Sequence, residues 1–288
     1  PEERSKVLGI GNMAPNIGAI VTPLTIPLLA VWLGWQATFL IAGGLGLVWA
    51  AVWMGLRFPA EAPQARAAGA TAVTGPGVSR LLRDRRQWAL ILAKALTDQV
   101  WWFLLFFIPD LFHRLFGLSQ GTLGLPVALV YALAAVGALS GGYLPSRMLA
   151  RGASPDRARK GSMLVYALLI LPVPLALVVS SPWTAALLLG IALFAHQGFS
   201  TNVFGFTTDV FPSRVIGTAI GIGAFAGNMS GMAMIEFAGW SLDTGRGYAP
   251  MLFLCAGAYL AALLCIHLLV PRIEPIADDA GGQVFAGH

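Results

Sequence analysis

Long apolar runs alternate with short polar breaks along nearly the whole chain. Eight runs of about 20 or more residues can be drawn, at 7–31, 35–56, 88–111, 119–146, 161–180, 183–207, 215–239 and 248–270. A helix rising 1.5 Å per residue crosses ~30 Å of hydrocarbon in about 20 residues. The runs are continuously apolar, without the period-two alternation of a barrel strand. The pattern predicts an all-α membrane protein with eight transmembrane helices. Prolines and glycines within the runs ("APNIGAIVTPLTIPLLA", "LLILPVPLALV") fit this prediction, because neighbouring helices can re-satisfy the freed backbone groups.

One segment interrupts the rhythm. Residues 57–87 are polar, rich in Ala, Gly and Pro, and end in a basic cluster, "SRLLRDRRQ". The first part reads as a flexible linker. The end is either a short amphipathic helix on the membrane surface or a solvated charge run. Two spans precede this linker and six follow it. The two spans before it resemble the last two after it: "GIGNMAPN" (9–16) matches "GIGAFAGN" (221–228), and "GWQATFLIAGG" (34–44) matches "GYAPMLFLCAG" (247–257) at nearly the same offset. Parallel repeats of this kind build transporters from two six-helix halves. The expected organisation is therefore 1–56, the last two helices of an N-terminal half; 57–87, a cytoplasmic linker; 88–271, a complete C-terminal half; and 272–288, a cytoplasmic tail. On this reading eight of twelve helices are present, and four spans precede residue 1.

Composition supports the membrane assignment. The chain is 57% hydrophobic and 11% charged, against roughly 25% charged in a soluble domain. The net charge of +5 could suggest a nucleic-acid partner, but the distribution of charge argues against one. Of the 18 Lys and Arg residues, all but Lys94, Arg114 and Arg246 fall on one face of the eight-span topology. The positive-inside rule makes that face cytoplasmic, with both chain ends on it. Cys255 and Cys265 lie ~15 Å apart on one helix and cannot bridge each other. No metal-ligand spacing, phosphate loop or Ser/His/Asp pattern is present, so neither a cofactor nor a metal is expected.

Ionisable and polar side chains inside spans are expensive, which makes them functional candidates. Lys94 and Asp98, at i and i+4, share one helix face. They are either a cavity-lining pair with proton-coupling or gating roles, or a structural pair snorkelling to the interface. Trp101 and Trp102 beside them are candidate ligand contacts. In "FAHQGFSTNVFGFTTDVFP" (194–212), His196, Gln197, Ser200, Thr201, Thr207 and Thr208 fall on one side of a helical wheel, while Asn202 and Asp209 lie apart. Such a stripe suits a wet cavity better than interhelical hydrogen bonding alone. His196 taken singly reads more readily as a packed donor than as a proton relay. Asp209 is expected to pair with Arg214 or to cap the next helix. Gly217, Gly221, Gly223, Gly227 and Gly231 form small-residue steps suited to close helix packing. Asn228 on that surface, and Asn16 as its counterpart in the repeat, are further candidate contacts; Glu236 reads as interfacial. An enzyme using His196 and Asp209 as acid and base is disfavoured, because they lie more than two turns apart on different faces. A passive channel would not need duplicated halves.

Several stretches resemble the anion:cation symporters of the major facilitator superfamily, especially bacterial hexuronate, glucarate and galactonate transporters. The resemblance rests on "PEERSKVLGIGNMAPNIGAIVTPL", "GWQATFLIAGGLGLVW", "ALTDQVWWFLLFFIPDLF", "GGYLPSRMLARG", "DRARK" and "FAHQGFSTNVFGFTTDVFP". It implies a major facilitator-type bundle acting as a monomer in the bacterial inner membrane. Its partners would be lipid, protons and a small organic anion, taken up together by alternating access. Gln197, Ser200, Thr201, Asn202, Trp101, Trp102, Asn228 and Asn16 would then meet substrate, and Asp98, Lys94 and His196 would serve proton coupling or gating. Ser146 stands where many members have Asp, and Gln99 where relatives often carry Pro.

Overall fold

The computed structural model describes residues 2–55 and 78–273, with side chains described from Gly18 onward except at 19, 20, 23, 213 and 214. Among the described residues all regular structure is helical. The helices are α1 (Glu2–Gly55), α2 (Val78–Leu81), α3 (Arg85–Phe116), α4 (Gln120–Ala150), α5 (Pro155–Leu169), α6 (Pro182–Val210), α7 (Ser213–Asp243) and α8 (Ala249–Leu269), with a 3-10 turn at Val173–Leu177. Among the described residues seven segments are long and apolar enough to cross a membrane. The run at 7–31 lies mostly outside the described side chains, as do the linker residues 56–77 and the tail from 274.

Local chemistry explains most boundaries. α1 is two helices meeting at Gly34 (φ 81°, ψ 159°), a conformation that glycine adopts without a Cβ penalty. This break falls between the first two apolar runs. The basic cluster does not form one amphipathic helix. α2 ends at Leu81, and the Asp84 carboxylate accepts from the Arg86 backbone N–H at 2.8 Å, so "RRQW" becomes the first turn of α3. α3 ends at Gly117, whose left-handed φ of 65° lets its N–H reach the His113 carbonyl.

The expected span at 161–180 needs correction. Its helix starts at Pro155, where Ser154 accepts from the Arg157 N–H at 3.3 Å and proline occupies the first turn. It stops at Leu169, because Pro172 and Pro174 cannot donate to helical partners, and a 3-10 turn completes the crossing. Arg157, Arg159 and Lys160, outside the span drawn from sequence, are therefore helical.

The most extensive packing joins α4 to α6 and α3 to α7. Both seams are made by small residues. A Cβ at Gly137 or Gly141 of α4 would run into the α6 backbone at Phe194 and Gly198. On α7, Gly223 faces Leu90 and Lys94, Gly227 faces Asp98, and Gly231 faces Trp102. Close backbone approach is how helices gain dispersion contact where lipid removes any hydrophobic drive.

Three polar clamps close the basic end. Arg159 donates to Asp209 at 2.9 Å, joining α5 to α6. Asp209, expected from sequence to pair with Arg214 or to cap the next helix, is thus claimed by a different helix. Arg86 reaches the Val210 carbonyl at 3.3 Å. Lys160 donates to the carbonyls of Val270 and Pro271 at 2.9 and 2.7 Å, satisfying the end of α8.

α1 is different. It rests on α4, but only 6% of its most apolar window is buried within the chain, against 28–56% in the other six. Trp32, Leu40 and Met54 lie bare on it.

Candidate functional site

α3 holds the centre of the candidate site. Lys94 and Asp98 form an ion pair of 2.8 Å with side chains only 11% and 15% exposed. Asp98 is pressed against Gly227 of α7, and the Lys94 ammonium lies 5.0 Å from the centre of the Phe204 ring on α6, within cation–π range. The pair is therefore wedged between two helices instead of reaching for the interface. An unpaired charge there would be costly. The i, i+4 spacing lets each partner neutralise the other.

The adjacent tryptophans, 100° apart on the helix, go to different partners. Trp101 turns toward α6 and stacks on His196 at 5.2 Å between ring centres. Trp102 turns toward α7, lies over Gly231 and stacks on Phe106 at 5.9 Å. His196 is 4% exposed, and its Nδ1 shares a 2.7 Å hydrogen bond with the Tyr259 hydroxyl of α8. Tyr259 also packs edge-on against Phe199. One chain of contacts thus runs through three helices, from Trp101 of α3 by way of His196 of α6 to Tyr259 of α8.

The six-residue stripe on α6 does not share a single environment. His196 and Thr207 are buried, and Thr207 donates to the Val203 carbonyl one turn back at 2.9 Å. Thr201 is half-buried, donates to the Gln197 carbonyl at 2.8 Å and lies beside Gly141. Thr208 is exposed and bonded to Gly205. Gln197 and Ser200 are half-buried, and their side chains have no hydrogen-bond partner among the described residues. Of the stripe, these two retain free hydrogen-bonding groups. The reason is geometric: a face 140° wide is broader than one cavity wall, so its margins meet α4 and α8 instead.

Asn202 sits at a joint and not on a cavity wall. It is fully buried, and its amide donates to the Gly141 and Gly198 carbonyls at 3.1 and 2.9 Å, tying α6 to α4. Its Oδ1 is buried without a partner among the described residues. Asn228 on α7 is exposed and lines an open cleft of about 240 Å³ together with Trp102, Gly231, Met232, Ile235 and Glu236. The side chain of Asn16 lies outside the described residues. Among the described residues, no group of three or more His, Cys, Asp or Glu could hold a metal, and both cysteines are free.

Sequence reasoning passed over Tyr259 and gave Glu236 no place in a cavity. The signal for Tyr259 was a lone hydroxyl mid-span in "CAGAYLAALLC". Glu236 was legible as the only acid of α7 before its final residue, Asp243.

Comparison with known proteins agrees with this architecture. Residues 1–235 match the family model described as Major Facilitator Superfamily. The chain is 26% identical to the hexuronate transporter of Escherichia coli K12 over 307 aligned positions, covering 100% of this chain and 70% of that protein. It is also 26% identical to the probable L-galactonate transporter of the same strain, covering 96% of this chain and 64% of that one. Among solved structures, a bacterial homologue of the human lysosomal transporter Spinster, inward-facing and unoccupied, superposes with a TM-score of 0.62 at 19% identity. That match covers 94% of this chain and 70% of the other. Among the described residues eight helices in this order and seven apolar spans, together with a family match across most of the length, lead to one conclusion: the chain belongs to the major facilitator superfamily and is a membrane carrier, not an enzyme.

Proposed function

We propose that the protein is a secondary active transporter of a small organic anion of the sugar-acid class, such as a hexuronate, working by proton symport and alternating access. The similarity to hexuronate and galactonate transporters across nearly the whole chain is the observation that carries the substrate class. The site chemistry supports it. Gln197, Ser200 and Asn228 keep unpaired hydrogen-bonding groups suited to sugar hydroxyls, with Trp101 and Trp102 as flanking aromatic surfaces. Thr201 and Asn202 set the spacing of α6 against α4 behind these groups. By the internal repeat, Asn16 is offered as the counterpart of Asn228. Lys94, Asp98 and His196 take the coupling or gating role, because a wedged ion pair is a two-state element that one proton can unbalance. Residues 57–87 serve as the cytoplasmic linker between the halves, in an inner-membrane protein that works as a monomer.

Proteoliposomes bearing the protein at its full natural length test this. Unlabelled galacturonate inside should accelerate entry of labelled galacturonate, as a carrier requires and a channel does not allow. Entry should also acidify the lumen. Uptake without proton movement would refute symport.

A further inference from the structure

The cleft between α3 and α7 has a chemistry that distinguishes one end of a sugar acid from the other. Its α7 wall is Asn228, Gly231, Met232, Ile235 and Glu236, the i, i+3, i+4, i+7, i+8 positions of a single helix face. Trp102 forms the opposite wall, packed against Gly231. Both polar groups of this face can accept a hydrogen bond, and neither carries a positive charge. Asn228 commits one amide hydrogen to the Ala224 carbonyl at 2.8 Å and keeps Oδ1 as an acceptor and its second N–H as a donor. Glu236 is exposed and has no ion-pair or hydrogen-bond partner among the described residues. At about 240 Å³ the cleft is below the ~300–1,000 Å³ of a whole ligand site, so it takes one end of a solute. An indole beside a neutral amide and a carboxylate welcomes an end that presents C–H groups and hydroxyls. It rejects an end bearing negative charge, since like charges brought together in a site discriminate by repulsion.

We propose that this cleft holds the uncharged, hydroxylated end of a monocarboxylate sugar acid, and that Glu236 is the specificity residue that excludes the corresponding dicarboxylate. The inference rests on the sugar-acid reading above. It adds the orientation of the substrate, carboxylate away from α7, and a rule for what is refused.

Galacturonate and galactarate share the configuration of four carbons. They differ in that galactarate has a second carboxylate in place of the aldehyde carbon, which galacturonate closes into a ring. Open-chain galactonate, which differs from galactarate only by a terminal hydroxymethyl group, is therefore assayed beside galacturonate as the monocarboxylate. The full-length protein in proteoliposomes is assayed for galacturonate uptake with galactarate as competitor, in wild type and in Glu236→Gln, which keeps shape and removes charge. The quantity read is the galactarate inhibition constant divided by the galacturonate KM. In wild type galactarate should compete poorly, and in E236Q the ratio should fall by about tenfold or more. Glu236→Ser is measured in parallel, so that poor membrane insertion of one variant still leaves a charge-free comparison. An unchanged ratio in charge-free variants that take up galacturonate overturns the proposal, as does wild-type protein that takes both acids equally. An unpaired carboxylate beside an indole could also attract a cation; inhibition by tetramethylammonium that is lost in E236Q overturns the proposal as well. If wild type takes up neither acid, the sugar-acid reading fails and this inference falls with it, a result distinct from intact galacturonate uptake with an unchanged ratio.

Discussion

α6 and α7 both interrupt long apolar runs with polar and small residues, but they use them in opposite ways. In α6 the most apolar window is 56% buried within the chain, and in α7 it is 28%. Much of the polar sequence of α6 is spent inside: Asn202 ties it to α4, His196 to α8, and Asp209 to α5. α7 spends Gly223, Gly227 and Gly231 on one seam against α3, while a Cβ at Gly217 or Gly221 would meet nothing within 4 Å, and it leaves Asn228 and Glu236 facing an open cleft. The density of polar residues in a span therefore says little about which face will be wet. What decides it is how many neighbours a helix has. α6 packs against α3, α4, α5, α7 and the 3-10 turn, whereas α7 packs chiefly against α3.

The sharpest way to break this contrast is at the ion pair that both helices enclose. Asp98→Ala leaves Lys94 as an uncompensated, mostly buried cation, a change that costs about 3–5 kcal/mol when a buried pair is broken. Galacturonate uptake in vesicles should fall at least ~100-fold, with lower membrane abundance. The double variant Lys94→Met with Asp98→Leu removes both charges and should restore abundance on an immunoblot without restoring uptake. Recovery of uptake would reduce the pair to a structural role.

Next come the seams. Gly198→Val on α6 drives methyl groups into the Tyr166 ring, and overpacking of this kind costs about 1–3 kcal/mol. The apparent melting temperature of detergent-solubilised protein should drop by several degrees. The same change at Gly142 on α4, whose Cβ position meets nothing within 4 Å, should leave it in place.

The two asparagines give a smaller and more diagnostic effect. Asn202→Leu removes an interhelical hydrogen bond worth about 0.6–1.7 kcal/mol, so it should lower thermal stability and leave the galacturonate KM within about twofold. Asn228→Leu should do the reverse, raising KM by up to ~10-fold through one lost hydrogen bond with thermal stability unchanged. Matching phenotypes would erase the distinction between joint and cleft. The smallest effect belongs to Thr208→Val. Thr208 is exposed and bonded only within its own helix, so stability should stay within about 0.5 kcal/mol and uptake should be normal.

How much of this was readable in advance differs from residue to residue. The break at Gly34 lies between two apolar runs because only glycine accepts that φ cheaply. Of the five α7 glycines read as packing steps, Gly223, Gly227 and Gly231 form the seam, as small residues at such spacing do in a membrane, whereas Gly217 and Gly221 face open space. Lys94 and Asp98 declared their pairing by spacing alone. By contrast, the start of α5 was hidden, since its first turns are too polar to count as a span; a Ser-Pro cap set the boundary instead. Tyr259 was hidden because one hydroxyl in an apolar helix carries no directional information until its neighbours are known.

The sequence by itself determined the helical membrane class, the approximate place of seven spans and the family, because the length of an apolar run and local cap chemistry are properties of contiguous residues. It also determined which residues were available for a site. Only the tertiary structure decided which of them are wet. A helix wheel orders side chains by angle, but whether a given angle meets Gly141, Tyr259 or open space depends on helices tens of residues away. Asn202 and Asn228 look alike on their wheels; one meets a glycine of α4 and the other meets a cleft.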